Sequence, residues 1–512
     1  MTERQPGIVV STTETNGTPL VRLMPRAALP VVEQISTTIP EKERARIRRI
    51  ASDYRAGEPA LSATEAFGPR VSVGLASGPA LLFEDHLDVP LASWADVTHL
   101  EHRSLLLASD GDVFAIGGHR NPAFEAYCRD VLGLGIVDVH TAAPAPGRSP
   151  MPLAERCARD PAIMDRIAAV AAQHGHLNLI PYLGTGSVWK LAAAIAERGR
   201  IQVHVAAPPP RLTARVNDKV WFADCVTRVL GNTALPRTFS AYGPAALAVK
   251  VRTLARSSPK IGIKIPSSSG SMGNLVVDSR DLIDLSGRAL TSRLSDMLRS
   301  LGWQRTYPLL VEVWDCPVTA SPSAQLWIPP PDEGDPVVEG IFDQALRGVT
   351  AEFIGAAPTA LSQEWRQRIA DEAARIGLLL QELGYYGRCS LDSVLAGDSP
   401  DKAQLHWLEC NGRWGGVSIS LTLANRLVGD WDRRPFVVVH LSVDGGRGRP
   451  FGEVLQDLKD DLFRPGQKDT GVVLLTPSGF EDGRGLHFMV FAETVEASQR
   501  CAKRMIERLY RS

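Results

Sequence analysis

Apolar residues come in two rhythms along this chain. Short runs rich in Val, Ile and Leu read as strands, and stretches with apolar residues three and four apart read as helices. Residues 1–65 mix short apolar runs with a charged stretch, 41–50, that predicts a helix with a solvated basic face. From Val71 the pattern changes. Apolar runs at 71–75, 80–83, 104–108, 113–116 and 135–139 predict strands, and amphipathic stretches at 123–132 and 162–173 predict helices. Pro161 suits the start of the second helix. Residues 189–198 predict a further helix and 201–205 a strand, and strands alternating with helices indicate an α/β layer. His174 and His176 read as a surface loop without metal partners.

The Pro208-Pro209-Pro210 run marks a boundary. Beyond it, helices are expected at 218–230 and 245–254, and strands at 260–265, 274–277 and 309–313. A long helix follows at 362–383, closed by Gly384, then strands at 388–395 and 405–410. Strands near 437–441, 471–475 and 487–491 and a helix at 495–509 suggest a small α+β unit at the end. No internal repeat is visible.

Composition narrows the class. A chain of 512 residues predicts two to four domains, and 44% hydrophobic with 22% charged residues is ordinary for a soluble globular protein. A net charge of −1 argues against holding nucleic acid or a membrane surface by bulk electrostatics. The seven cysteines are scattered and odd in number, with no Cys-x-x-Cys pair, which argues against a zinc site or a disulfide framework. The opening residues lack a signal pattern and no stretch reaches roughly 18 apolar residues, so the cytoplasm is the expected compartment.

Three segments carry candidate chemistry. The first is the expected strand ending in Lys264, followed by the small-residue loop Ser267-Ser268-Ser269-Gly270-Ser271-Met272-Gly273. Small residues let backbone N–H groups approach phosphate oxygens, and the lysine can neutralise phosphate charge. The same run also fits a plain hairpin turn. It is not a Walker A loop, since the Gly-Lys-Ser/Thr ending is missing, and the 184–189 stretch lacks the third glycine of a dinucleotide fingerprint.

The second segment is the pair of strands at the end of the long helix. Alternation puts Arg388, Ser390 and Asp392 on one face of the first, and Glu409, Asn411 and Arg413 on one face of the second. Paired as a hairpin, the strands bring Asp392, Glu409 and Asn411 within reach of one cation. These hard oxygen donors suit Mg2+ shared with the phosphates of ATP. Arg388 and Arg413 beside them can meet a carboxylate or phosphate. A solvated hairpin face also tolerates charge, but the alternate face is apolar and glycines follow Trp414. The third segment is an apolar strand running into Glu312-Val313-Trp314-Asp315, whose backbone can meet an adenine edge and whose carboxylates can hold ribose hydroxyls; an ordinary buried strand entering a loop reads the same way.

In order and spacing, these pieces resemble the ATP-grasp superfamily over roughly residues 211–427. The resemblance makes Lys219, in Asn217-Asp218-Lys219, the first nucleotide lysine, and Lys264 with Ser268, Ser269, Gly270, Ser271, Met272 and Gly273 the second lysine and its phosphate-covering loop. It makes Glu312, Val313, Trp314 and Asp315 the hinge at adenine and ribose. Asp392, Glu409 and Asn411 become the magnesium set, and Arg413 the arginine at the substrate or acyl phosphate. The chain departs from the common pattern in its serine-rich loop and in having Ser390 where an Arg-x-Asp arrangement places arginine, which leaves Arg388 one alternation away.

Within the superfamily, the upstream α/β unit with Tyr182-Leu183-Gly184-Thr185-Gly186, the Asn-Asp-Lys start, the serine-rich loop, Glu409-Cys410-Asn411-Gly412-Arg413 and the small end unit look like the pheganomycin-type peptide ligases. That resemblance implies an α/β chain (α+β within the grasp). Its expected parts are an N-terminal extension at 1–70, a pre-ATP-grasp domain at 71–210, an ATP-grasp domain at 211–436 and a C-terminal α+β domain at 437–512. The implied activity is ATP- and Mg2+-dependent ligation of a carboxylate substrate to an amine or peptide acceptor through an acyl phosphate. Neither nucleic acid nor membrane is a partner, and a homodimer is the candidate assembly. Three rival readings stay open: a small amine or amino acid as acceptor, a non-catalytic nucleotide-binding protein, and a kinase-like enzyme acting on another group.

Overall fold

The computed structural model describes residues 20–22, 29–89, 98–144, 150–268, 273–349, 351–442 and 447–511. Among them, three sheets of four or more strands organise the chain. The first is parallel throughout, in the order Val71–Val73, Gln202–Val205, His176–Pro181, Ala80–Phe83, Val113–Ile116 and Asp138–Thr141. Parallel sheets need cover on both faces, and their strands are apolar on both. Helices Leu153–Arg159, Pro161–His174 and Gly186–Gly199 supply one cover, packing Ile163, Ile167 and Trp189 on Leu81, Phe83 and Val113. The opposite face, with Leu82, Phe114 and Ile180, joins a core shared with the largest sheet. Helix Pro161–His174 starts as expected: Asp160 accepts from Ala162 N and Ile163 N, and Pro161 stands in the first turn.

Two expectations fail here. The apolar run 104–108 is not a strand but lies largely in the 3-10 helix Thr98–Leu107, which buries Leu105, Leu106 and Leu107 all the same. A short apolar run does not fix its own period. Conversely, the stretch read as a loop at His176 opens the central strand His176–Pro181. Its buried polar residue, Asn178, is satisfied by Ala76 N at 2.8 Å, Ala76 O at 3.0 Å and Pro79 O at 3.1 Å.

The second sheet is antiparallel, in the order Asn274–Asp278, Lys260–Lys264, Leu309–Val313 and Thr238–Ala241. Helices Pro244–Ala255 and Gly287–Ser300 cover the face that carries Ile261, Ile263, Leu309 and Val311. Lys264, Gly262 and Glu312 alternate onto the other face, with Gly262 opposite Glu312.

The third sheet has nine strands and is antiparallel. It contains the expected hairpin, Gly387–Ala396 with Gln404–Asn411. It also contains three strands absent from the sequence reading, Pro322–Ile328, Val337–Arg347 and Glu352–Pro358. Phe436–Ser442, Gly485–Phe491 and Gly471–Leu474 continue the same sheet. The long helix, Gln363–Glu382, packs on one face with Lys219–Leu230 and with the charged helix Glu41–Gly57. Arg44 and Arg48 of that charged helix pair with Asp335 and Glu382.

Candidate active site

The hairpin sets Asp392 directly opposite Glu409 and Ser390 opposite Asn411. A bulge follows Asp392, so Ser393 meets Trp407. Trp407, Cys410, Cys389 and Leu391 anchor the pair in the core on the side of the long helix. On the other side, Asp392 accepts from Ser323 Oγ at 2.6 Å and from Asn411 Nδ2 at 2.9 Å. Arg413 donates to Asn411 Oδ1 at 2.8 Å. Burial, and then the facing charge of Glu409, push the Asp392 carboxyl up to about 6. Burial also works against Glu409, but Lys219, Lys264 and Arg413 outweigh it and hold that carboxyl below its usual value. Two carboxylates in register with an amide oxygen beside them are a hard donor set that a divalent cation would relieve. Among the described residues no three His, Cys, Asp or Glu side chains gather as a metal site of their own. Asp392, Glu409 and the Asn411 oxygen fit magnesium, which takes few protein ligands and completes its shell with water and phosphate.

Lys219 is placed by its neighbours. Asp218 caps the helix, accepting from Val220 N and Trp221 N. Asn217 ties the helix entry to the hairpin's exit, accepting from Gly412 N at 3.0 Å. A Cβ on Gly412 would lie 2.3 Å from Val216 Cγ2, so only glycine lets the two segments meet. The Lys219 ammonium, 4% exposed, then lies 2.9 Å from Glu409 and 2.6 Å from Ser268 O. On the four-stranded sheet, Lys264 lies 2.6 Å from Glu312 and 5.8 Å from the centre of the Trp314 ring. Trp314 lies against Gly262, where a Cβ would come within 2.9 Å of the indole. Asp315 is 2.7 Å from His406 Nδ1. Ser268 and Gly273 close the ends of the small-residue loop, with Ile265 N donating to Gly273 O; Ser269, Gly270, Ser271 and Met272 lie outside the described residues.

A cleft of about 400 Å³ joins these groups to the parallel sheet. Its walls include Lys219, Ser268, Glu409, Asn411 and Arg413 from one side, and Asp88, Thr185, Gly186 and Ser187 from the other. The second set follows strands Ala80–Phe83 and His176–Pro181. The strand order reverses between those two strands, and parallel α/β sheets open a crevice at that point. The pattern of the chain does not show this wall, because His176, where the strand that creates the reversal begins, reads as a loop and residues 177–181 carry no strand assignment. His406 was also missed: the bulge, invisible to strict alternation, turns it to the same side as Glu409.

Arg388 is corrected. It lies on the expected face but does not reach the cleft. It is 4% exposed, pairs with the buried Glu339, donates to Thr422 Oγ1 at 2.9 Å, and lies between the Trp327 and Trp414 rings. Its charge is consumed inside the core, by a counter-ion on a strand that the sequence reading lacked.

The fold is thus α/β, a parallel sheet set against two antiparallel sheets. Residues 101–197, most of the parallel unit, match the family model of the Pre ATP-grasp domain. No curated protein matches the chain. Among solved structures, the chain is similar to the biotin carboxylase domain of the Hydrogenobacter thermophilus 2-oxoglutarate carboxylase, in complex with MgADP, ADP and bicarbonate, at 12% identity and TM-score 0.49, covering 84% of this chain and 89% of that one. It is similar to N5-carboxyaminoimidazole ribonucleotide synthetase of Thermus thermophilus, at 16% identity and TM-score 0.46, covering 85% and 99%. It is also similar to Campylobacter jejuni biotin carboxylase in its beta-gamma-ATP complex, at 13% identity and TM-score 0.48, covering 82% of this chain and 89% of that one.

Proposed function

We propose that this chain is an ATP-dependent carboxylate–amine ligase of the ATP-grasp type. The observation that carries the reading is the hairpin face: Asp392, Glu409, Asn411 and Arg413 together, with the buried Lys219 paired to Glu409 and the charge of Lys264 near enough to act on that carboxylate. In this reading Asp392, Glu409 and Asn411 hold Mg2+, and Lys219 and Lys264 hold phosphates. Glu312 to Asp315 meet the base and ribose, and the 267–273 loop covers the nucleotide. The four parts 1–70, 71–210, 211–436 and 437–512 serve as extension, pre-ATP-grasp unit, grasp and end unit.

A carboxylate is a poor electrophile because its leaving group would be oxide; phosphorylation gives it a good one. Phosphoryl transfer is mainly positioning and charge neutralisation. Magnesium, when bound, supplies part of that neutralisation. The chain's own residues do the rest. Glu409 would be among the residues that hold the metal, and Lys219, now paired with it, would turn to phosphate oxygens. Lys264 would do the same from Glu312. Arg413 faces the acyl oxygen and stabilises the charge that grows there when the amine attacks. The loop excludes the water that would hydrolyse the acyl phosphate. The finer reading is an amino-acid-derived acid joined to the N-terminus of a peptide; the 182–186 motif on the cleft's second wall supports it.

A mass-spectrometric screen of acid–peptide pairs with ATP and Mg2+, scored for condensed product and ADP, tests this. Product with ADP supports the reading. AMP in place of ADP would mean adenylation and would overturn the acyl-phosphate route.

A further inference from the structure

The rim of the parallel sheet carries a buried charged cluster that the ligase reading does not use. Glu84 directly follows strand Ala80–Phe83 and is fully buried. Its carboxylate accepts from Arg103 Nε at 3.1 Å and lies 2.7 Å from His86 Nε2. Arg103 and His86 are themselves only 6% and 8% exposed. Burying a carboxylate, a guanidinium and an imidazole is costly unless each is paired, and removing one partner leaves a stranded charge. Such a cluster holds its members in one geometry.

That geometry points one way. The His86 ring lies 4.1 Å from the Tyr182 ring, tilted by 31°. Tyr182 directly follows strand His176–Pro181, the neighbour of Ala80–Phe83, and its N–H donates to Phe83 O at 3.1 Å. The Tyr182 carbonyl accepts from Trp414 N at 3.2 Å. The Arg413 guanidinium sits 5.6 Å from the centre of the Tyr182 ring. Burial, aided by Arg103 and Arg413, keeps His86 below its usual pKa against the pull of Glu84. The Tyr182 ring thus lies among the His86 imidazole and two guanidiniums, Arg103 at 6.0 Å and Arg413 at 5.6 Å from its centre, and of these only Arg413 belongs to the hairpin's exit.

We propose that Tyr182, seated on the Glu84–His86–Arg103 cluster, is the positioning residue for Arg413, so that the rim of the parallel sheet is part of the active site. The proposal rests on the reading of Arg413 as the group at the acyl oxygen. A guanidinium on a free stem samples many rotamers; one stacked on a fixed ring and anchored through the next residue's N–H is pre-organised. It also gives the 182–186 motif a physical role: the tyrosine supports the arginine while Thr185 and Gly186 line the cleft.

The test needs no substrate. Phenylglyoxal modification of Arg413 is followed by peptide mass spectrometry in the full chain, and MgADP affinity is measured on the same samples by calorimetry. Tyr182→Leu should speed Arg413 modification about fivefold through the lost ring contact, while Tyr182→Phe stays within about twofold, since the ring remains. Tyr182→Met serves in place of the leucine variant if that one does not fold. MgADP affinity should stay unchanged in all of them. An unchanged modification rate in the ring-less variants, or a phenylalanine variant as fast as the leucine one, would overturn the proposal. Absence of MgADP binding in the unsubstituted chain strikes the nucleotide reading instead, and the Arg413 rates still judge the positioning.

Discussion

The two lysine–carboxylate pairs of the site, one on the hairpin and one on the four-stranded sheet, look alike and behave differently. Lys219 with Glu409 and Lys264 with Glu312 have similar lengths, 2.9 and 2.6 Å. Yet 27% of the Glu409 side chain is open and only 4% of Glu312. Glu409 sits among three cations that hold it ionised against the effect of burial. Glu312 is pushed up by burial, and Asp315 adds to that, more than Lys264 pulls it down. The difference assigns them separate work. An open, firmly ionised carboxylate can exchange its lysine for a metal ion. An enclosed one is a counter-ion that keeps Lys264 in place, and under the proposed function Lys264 would leave it for a phosphate.

The comparison predicts a ranking. Glu409→Gln should cut ADP-forming ligation about 100- to 1000-fold, the scale of losing one pre-organised electrostatic group, in a coupled ADP assay. Arg413→Lys should lower kcat about 100-fold and leave the KM for ATP unchanged, because a point charge replaces a flat, stacked fork. Glu312→Gln should cost only about tenfold, since it removes the Lys264 counter-ion and one carboxylate of the proposed nucleotide hinge but no ligand of the proposed metal. An equal loss for Glu312→Gln and Glu409→Gln would erase the distinction.

The smallest effect lies in thermal stability against pH. A carboxyl raised in the folded state binds more protons than in the unfolded chain, so Glu312 makes stability fall as pH rises from about 4.3 toward its folded value. Glu409, lowered, contributes stability above about 4.3 that is lost as pH falls through its folded value. Calorimetry should show Glu312→Gln gaining about 1–2 °C in Tm relative to the unsubstituted chain as pH rises above about 4.3. Glu409→Gln should show its Tm deficit shrink as pH falls below that point.

The hairpin was legible because alternation alone decides which side chains share its face, and its residues are ones that a mere surface does not require together. The helix start at Lys219 was legible for a similar reason: Asp218 is a strong cap. Arg388 shows the limit. Its face was read correctly, but its counter-ion Glu339 comes from strand Val337–Arg347, across the sheet, and no local pattern reports such a pairing. The second wall of the cleft stayed hidden for a related reason. His174 and His176 read as a surface loop and residues 177–181 carried no assignment, and only the turn at 76–79 reveals what the buried Asn178 of that strand bonds. The strand order that opens the crevice is a property of the whole sheet, written in no single segment.

The most direct measurement is calorimetric binding of ADP to the unsubstituted chain and to Glu409→Gln, each with Mg2+ and with EDTA. If the hairpin holds the metal, Mg2+ tightens ADP binding to the unsubstituted chain by at least about tenfold and has little effect on Glu409→Gln. Equal affinity with and without Mg2+ in the unsubstituted chain, or an undiminished Mg2+ effect in Glu409→Gln, would contradict it.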